Sequence, residues 1–115
     1  MYDDRGGFHM NYTEITTIEQ WQEVLQSSND GAVVVLKHST TCPISAAAYR
    51  EFTATDVQNT YLVKVIEHRD VSNEIADALQ VKHASPQVIV VKDKQATWQA
   101  THYDVTAKAI QEALA

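Results

Sequence analysis

The chemistry open to this sequence is concentrated at Cys42, the only cysteine among its 115 residues. The residue lies between an apolar run and an alanine-rich run, in a segment that ends at Ser45. A thiolate is the nucleophilic form of cysteine, and the free N–H groups and dipole at the start of a helix stabilise that anion. A solitary cysteine is most often a buried apolar residue, but its position between a predicted strand and a predicted helix favours a reactive thiol.

Side chains around the cysteine could support such a thiol. Ser45, three residues along the predicted helix, falls on the same face, and its hydroxyl could donate a hydrogen bond to the thiolate. Thr40 and Thr41 are further candidate donors. Lys37 and His38 precede the cysteine and could favour the thiolate through their charge. Each is equally consistent with a structural strand end, and we favour that interpretation for His38.

The elements on either side of Cys42 place it at a strand-to-helix junction. The run Ala32 to Lys37 is apolar and β-branched without alternation, which is typical of a strand covered on both faces. After the cysteine, apolar residues recur at helical intervals to about Thr53. Pro43 suits the first turn of a helix because it has no N–H to leave unpaired. The sequence therefore predicts a helix that starts at the cysteine.

Further elements continue the alternation of helix and strand. A capping box formed by Thr17 and Gln20 predicts a helix from about Ile18 to the polar stretch at 27–31. The other predicted elements are an extended piece at 12–15, a strand at 61–66, a helix at 73–80, a strand at 87–91, a hairpin turn at 92–95, a near-edge strand at 96–103 and a helix at 104–114. This order predicts an α/β fold with a mixed sheet between layers of helices.

Length and composition limit the possible classes of protein. A chain of 115 residues has room for one core, and we expect a single domain over residues 11–115. Residues 1–10 have no hydrophobic period and are expected to be a cloning tag or a disordered native tail. The net charge of −6 with scattered Lys and Arg argues against a nucleic-acid partner. Only three glycines are present, so neither a GxxxxGK loop nor a GxGxxG turn can be drawn.

Location and metal content can also be predicted. The apolar runs are far shorter than the roughly 20 residues needed to cross a bilayer, so no membrane span is predicted. The first residues lack the apolar segment of a secretory signal, so we expect a cytoplasmic protein with a reduced thiol. The five histidines show no ligand-like spacing and one cysteine is too few for a structural zinc site, so no metal is expected.

The motifs resemble those of the thioredoxin fold. In that fold a cysteine begins a helix after a central strand, and a proline with a cis peptide bond faces it from an adjoining loop. In this chain Cys42-Pro43 and Ser85-Pro86 are separated by a number of residues similar to that in the thioredoxin fold. The resemblance implies a thioredoxin-like three-layer sandwich with a mixed sheet of four to five strands flanked by helices. The string from Thr41 to Ser45 is similar to the signature of the monothiol bacilliredoxins, and the resemblance covers residues 12–114.

This resemblance implies a monothiol thiol–disulfide oxidoreductase that removes bacillithiol from mixed disulfides on other proteins. Cys42 would be the nucleophile, and Ser45 stands where dithiol enzymes have a resolving cysteine, so an external thiol would complete each cycle. Bacillithiol would be the co-substrate, with no tightly bound cofactor. The partners implied are bacillithiolated client proteins, and a monomer is expected. The candidate substrate-binding residues are Thr40, Thr41, Pro43, Lys82, His83, Ser85 and Pro86.

The loop that contains Pro86 (residues 82–86, called the proline loop) has alternative interpretations. A cis bond at Pro86 would turn the backbone groups of Ser85 toward the cleft, where an extended substrate could pair with them. An arbitrary proline at that place would more often simply suit the end of a strand. Lys82 and His83 could meet carboxylates of the small thiol or could belong to an ordinary solvated loop.

Two other functions remain open from the sequence. One is a glutathione-using monothiol glutaredoxin or iron–sulfur carrier, although those proteins typically have Gly-Phe where this chain has Pro43-Ile44. The other is a non-catalytic thioredoxin-like binding module whose cysteine is a vestige or a redox sensor.

Overall fold

The computed structural model describes residues 12–115. Residues 1–10, for which the sequence predicts a tag or tail, lie outside the described residues, as does residue 11. The elements in chain order are β1 (Thr13–Glu14), α1 (Ile18–Ser27), β2 (Val33–His38), α2 (Pro43–Ala54), β3 (Thr60–Lys64), α3 (Arg69–Leu79), β4 (Gln87–Lys92), β5 (Gln95–Thr101), a 3-10 turn (His102–Asp104) and α4 (Ala107–Leu114).

The strands form one mixed sheet in the order β1-β3-β2-β4-β5. β2 is central, and it runs parallel to β3 and antiparallel to β4. All six of its residues are buried, which explains its lack of alternation. β5 lies at the edge, and its residues alternate between exposed and half-buried, as the sequence predicts.

Each face of the sheet is covered by two helices. α1 and α3 pack on the core that contains Val33 and Val35, whereas α2 and α4 pack on the core that contains Val34 and Leu36. Full burial of such a side chain contributes roughly 1.5–3 kcal/mol. The central strand that leads to the cysteine is therefore held from both sides. The predicted α/β sandwich with a mixed sheet of up to five strands is confirmed.

Two helices begin at places that differ from the sequence predictions. α3 starts at Arg69, four residues before the predicted start at 73, and its N-cap residue His68 makes no side-chain cap bond. Without a capping signal, the apolar period alone placed the start too late. α4 starts at Ala107 instead of 104, because the Thr106 hydroxyl caps it by accepting from the Ala109 N–H at 3.1 Å.

The predicted strand at 96–103 ends earlier than expected. β5 stops at Thr101, and His102–Asp104 form a 3-10 turn. His102 has a φ of 54°, a left-handed conformation that ends the strand. Its N–H donates to the Pro86 carbonyl oxygen at 3.0 Å, so this turn is attached to the proline loop.

Ser28 holds the hairpin turn between β4 and β5. Asp93 and Lys94 have φ values of 52° and 64°, a turn geometry that usually favours Asn-Gly. The Asp93 N–H donates to the Ser28 carbonyl oxygen at 2.9 Å, and the Lys94 N–H donates to the Ser28 hydroxyl at 2.8 Å. The same hydroxyl donates to the Leu25 carbonyl oxygen at 2.6 Å. Two long-range bonds thus fix a turn that the local sequence does not strongly favour.

We expect Ser28→Ala to lower the free energy of unfolding by roughly 1–2 kcal/mol, because it leaves the Lys94 N–H without its buried acceptor. Urea unfolding measures the change. Ser27→Ala is the matched control, since within residues 12–115 the Ser27 hydroxyl bonds only to the Val24 carbonyl oxygen of the same helix, at 2.7 Å. An equal loss in both variants would contradict the role given to Ser28.

Candidate active site

Cys42 is the N-cap residue of α2. Its backbone is extended (φ −105°, ψ 124°), and its carbonyl oxygen accepts the Ala46 N–H at 2.9 Å. Its own N–H donates to the Ser39 carbonyl oxygen at 3.2 Å and closes a turn after β2. Pro43 occupies the first helical turn, and the thiol is half-buried. The prediction that the helix starts at the cysteine is confirmed.

The Cys42 side chain makes no capping hydrogen bond, unlike the threonines that cap α1 and α4. Thr17 accepts from the N–H of Gln20 at 3.0 Å, and Thr106 accepts in the same way from the third residue of α4. The corresponding N–H on α2 belongs to Ser45. A neutral thiol is a weak acceptor, but a thiolate at this position could take the place of the threonine oxygen. The end of α2 is therefore suited to hold an anion on Cys42.

Ser45 is fully buried and connects α2 to the end of β2. Its hydroxyl oxygen accepts from the Ser39 N–H at 2.9 Å and lies 2.7 Å from Nδ1 of His38. If Nδ1 carries a proton, it donates to Ser45, and the Ser45 hydrogen is left for the cysteine. If Nδ1 is bare, Ser45 donates to His38. The bond predicted from Ser45 to the thiolate therefore depends on the state of His38 and stays a prediction.

His38 is buried beneath α2, with its ring 5.0 Å from that of Tyr49 and nearly parallel to it. Tyr49 in turn shares a hydrogen bond of 2.9 Å with the Tyr12 hydroxyl. Burial lowers the pKa of His38, the charge of Lys64 lowers it further, and Glu67 opposes both. A neutral imidazole at pH 7 follows. The interpretation of His38 as a structural strand end omitted its bond to Ser45.

Lys37 points to the opposite face of the sheet from His38, as successive strand residues do. Its ammonium group is fully buried, donates to the Ser72 carbonyl oxygen at 3.0 Å and lies 3.2 Å from Nδ1 of His83. Burial lowers the pKa of Lys37 to about 8. The charge is thus directed toward α3 and the proline loop.

We expect the burial of Lys37 to make stability rise with pH. Its pKa is about 8 in the folded protein and 10.5 ordinarily, so between these values the unfolded chain binds more protons and the free energy of unfolding increases as pH rises. The increase is on the order of 2–3 kcal/mol across that range. Urea unfolding at about pH 7 and about pH 10 should show this increase in the wild type. It should be absent in Lys37→Met and retained in Lys108→Met, which alters an exposed lysine of α4; an unchanged slope in Lys37→Met would contradict it.

The proline loop, residues 82–86, contains the cis peptide bond that the resemblance implies. The Ser85–Pro86 bond is cis, and Pro86 is buried at the start of β4. The Ser85 hydroxyl oxygen is buried and has no hydrogen-bond partner within residues 12–115. The prediction of a cis bond at Pro86 is confirmed.

The buried side chain of Gln87 stabilises this loop through hydrogen bonds. Its buried amide accepts from the Ala84 N–H at 3.3 Å and donates to the Lys82 carbonyl oxygen at 3.1 Å. The same amide donates to the Gln99 side chain on β5. Together with Lys37, it fixes the loop through side chains from the two neighbouring strands.

The cysteine and the proline loop lie at the same end of the sheet, where β2 ends and β4 begins. β2 and β4 are antiparallel neighbours, and Lys37 at the end of β2 pairs with Gln87 at the start of β4. The segments that follow β2 and precede β4 must therefore lie side by side. The predicted site residues that are exposed at this end of the sheet are Thr40, Thr41, Pro43, Lys82 and His83, while Ser85 is half-buried. The strand pairing places the two segments that carry these residues at the same end of the sheet, and their binding roles stay predictions.

Two interactions of this site were not predicted from the sequence: His38 with Ser45, and Lys37 with His83. His83 lies 46 residues beyond Lys37, so no local pattern shows that pair. Ser45 lies seven residues beyond His38, across the turn between β2 and α2, where neither a helical nor a strand period applies. The burial of one residue of each pair could be inferred from the sequence, because a strand covered on both faces must bury Lys37 and His38 on opposite sides. Neither partner could be named from that signal alone.

Neither a metal cluster nor a membrane-spanning helix is found among the described residues. Within residues 12–115, no three His, Cys, Asp or Glu side chains are grouped closely enough to hold a metal ion. The helices of the same region are each too short or too polar to span a membrane.

The fold and the position of the cysteine define a class, the thioredoxin-fold oxidoreductases. Across 90% of its length the chain is similar to a solved protein with a thioredoxin fold, with 33% identity, a TM-score of 0.82 and 93% of that chain covered. The thioredoxin of Malassezia sympodialis shares the fold at 20% identity and a TM-score of 0.71, with 92% and 90% of the two chains covered. Mitochondrial thioredoxin 3 of Saccharomyces cerevisiae does so at 16% identity and 0.69, with 90% and 92% covered.

The family within this class follows from the sequence. The model of the family described as monothiol bacilliredoxin BrxC matches residues 13–110, which is most of the chain. The chain belongs to the monothiol bacilliredoxin BrxC family, and it is a bacilliredoxin-like thiol–disulfide oxidoreductase.

Proposed function

We propose that this protein removes bacillithiol from mixed disulfides on client proteins. The observation that supports this most directly is Cys42 at the uncapped start of α2, in a chain with no second cysteine. Membership of the bacilliredoxin family supports bacillithiol as the small thiol. Bacillithiol is then a co-substrate, and the natural setting is a reducing cytoplasm.

The first step is an exchange of one disulfide for another. The Cys42 thiolate attacks the bacillithiol sulfur of the mixed disulfide, and a bond forms between these two sulfurs. The bond between bacillithiol and the client breaks, and the client leaves as a thiolate that takes up a proton from solvent. No net oxidation or reduction occurs, because one disulfide bond replaces another. The unpaired N–H groups at the start of α2 stabilise the attacking anion.

The second step requires another thiol from outside the chain. Ser45 stands where a resolving cysteine would be, and its hydroxyl cannot form a disulfide. The thiolate of a second bacillithiol molecule attacks the bacillithiol sulfur held on Cys42. This attack releases the Cys42 thiolate and forms bacillithiol disulfide. The protein acts as a monomer, since each step needs only one copy of the site.

The end of the sheet that carries Cys42 and the proline loop provides the binding surface in this proposal. Thr40, Thr41 and Pro43 border the cysteine and contact the mixed disulfide. The backbone of Ser85, next to Pro86, pairs with the extended client segment. On the same loop, the side chains at 82 and 83 meet carboxylates of the small thiol.

The test compares two mixed disulfides of one client protein, one with bacillithiol and one with glutathione. We expect the wild-type protein to release the client thiol faster from the bacillithiol form, with bacillithiol supplied as the regenerating thiol. Intact mass should show a single bacillithiol adduct on the protein when regeneration is omitted. Equal or faster release from the glutathione form would favour a glutaredoxin activity. Absence of any adduct would favour a non-catalytic binding module.

A further inference from the structure

The Lys37–His83 pair lies outside the exchange chemistry but directly beneath the proline loop. Lys37 is 0% exposed, whereas His83 is exposed on the loop surface. The Lys37 ammonium is 3.2 Å from Nδ1 of His83, and the Ser72 hydroxyl is 3.3 Å from the same nitrogen. The inner edge of the imidazole is therefore held by two groups, while its outer edge faces the surface.

The chemistry of the pair determines the tautomer of His83. An ammonium group has hydrogen-bond donors and no acceptor, so Nδ1 must accept and cannot carry a proton. Burial, Lys37 and Arg69 all lower the pKa of His83, which keeps the ring neutral at pH 7. The single ring proton is then on Nε2, and the N–H at the outer edge of the ring is a donor directed away from Lys37.

The charge balance of the protein gives this donor a use. The chain carries a net charge of −6, which repels anionic ligands. A buried ammonium behind the imidazole polarises the outward N–H, since a hydrogen bond from a charged donor strengthens the next bond in the series. Together with the exposed Lys82, this polarised donor gives the proline loop a local positive potential in a protein of net negative charge.

We propose that Lys37 is a positioning residue that fixes His83 as an Nε2–H donor for a carboxylate of the small thiol. This inference rests on the proposed function, because it assigns the carboxylate to bacillithiol. Lys37 does not touch the substrate and acts only through the imidazole. His83 is then the residue that selects an anionic small thiol at the edge of the site.

Long-range ¹H–¹⁵N spectra of the histidine rings test the first part of the inference on the full chain at pH 7. The His83 signals are assigned by their loss in His83→Gln. We expect a bare Nδ1 and a protonated Nε2 in the wild type, and a mixture of tautomers in Lys37→Met. A protonated Nδ1 in the wild type, or an unchanged pattern in Lys37→Met, would overturn the assignment. A purely structural role of Lys37 would not move this signature.

Steady-state kinetics with a bacillithiol mixed disulfide test the second part. We expect KM to rise on the order of tenfold in Lys37→Met and in His83→Leu, with the effect on KM and not on kcat. His83→Gln retains an outward N–H donor and should keep KM near the wild-type value. In a His83→Leu background, Lys37→Met should add no further change. Far-UV circular dichroism verifies folding. If Lys37→Met does not fold, the wild-type tautomer decides the role of Lys37, since a protonated Nδ1 overturns it, and the Leu and Gln variants of His83 decide the role of the imidazole.

The outcomes separate this inference from the proposed function. Wild-type turnover of the bacillithiol form with an unchanged KM in His83→Leu overturns the inference alone. Absence of wild-type turnover overturns the proposed function and the carboxylate assignment together.

Discussion

Cys42→Ser is expected to abolish turnover and at the same time to stabilise the fold. A serine hydroxyl cannot form a disulfide, so release of the client should fall by roughly a thousandfold or more, to the uncatalysed rate. As an N-cap, serine accepts from the third N–H of the helix, as Thr17 and Thr106 do in α1 and α4. The free energy of unfolding should rise by roughly 0.5–1 kcal/mol.

Cys42→Ala is the matched control for this pair of effects. It should be equally inactive and should gain no cap, so it should unfold at a lower urea concentration than the serine variant. Intact mass after exposure to oxidised bacillithiol should show no adduct on either variant. Residual turnover in both would contradict the role of Cys42 as nucleophile. A serine variant less stable than the wild type would mean that the cysteine already caps the helix.

The opposite signs of these effects follow from the place of the reactive residue. Under the proposed function, three requirements meet at position 42: a nucleophile, a helix start whose N–H groups remain free to stabilise an anion, and an extended backbone after a buried strand. A residue that satisfies the helix end best would neutralise the feature that favours the thiolate. Loss of helix stability at this position is therefore a consequence of the function.

The parts of the fold that local signals specify were predicted from the sequence. A few neighbouring residues are enough to determine each of three features: the capping box of α1, the non-alternating β2 and the proline at the start of α2. The start of α3 was wrong because no capping residue marks it. The 3-10 turn that begins at His102 was missed because its cause is a bond to Pro86, far away in the chain.

The candidate site likewise has features that local sequence predicts and features that it does not. The position of Cys42 at the start of a helix was predicted, because strand and helix patterns adjoin it. The interactions that hold its surroundings were not, since Ser45 bonds across to His38 and Lys37 reaches His83. A buried lysine is rare without a partner, and that partner is determined by how the loop folds over the sheet. Sequence patterns therefore locate the proposed nucleophile but do not show which interactions hold its surroundings.

Ser45→Cys should convert the protein into a dithiol enzyme that no longer needs an external thiol to release bacillithiol. Residues three apart at a helix start have Cα atoms about 5 Å apart, within the range of roughly 4.4–6.8 Å that a disulfide spans. The thiol introduced at position 45 would attack the sulfur of Cys42, form an intramolecular disulfide and expel bacillithiol. One bacillithiol per protein should appear without added thiol, and further turnover should require a dithiol reductant. Intact mass should show the loss of two hydrogens in place of a bacillithiol adduct.

Two controls separate this effect from a general change at the site. Ala47→Cys adds a thiol on the same helix but about 140° around it from Cys42, so it should retain the adduct. Ser45→Ala removes the bonds to His38 and Ser39 without adding a thiol, and it should lower stability by roughly 1–2 kcal/mol while still requiring external bacillithiol. Persistence of the adduct in Ser45→Cys would mean that the two side chains cannot meet, and Ser45 would then be only an anchor of α2. Release without added thiol would show that the monothiol character of this site depends on a single oxygen atom in place of sulfur.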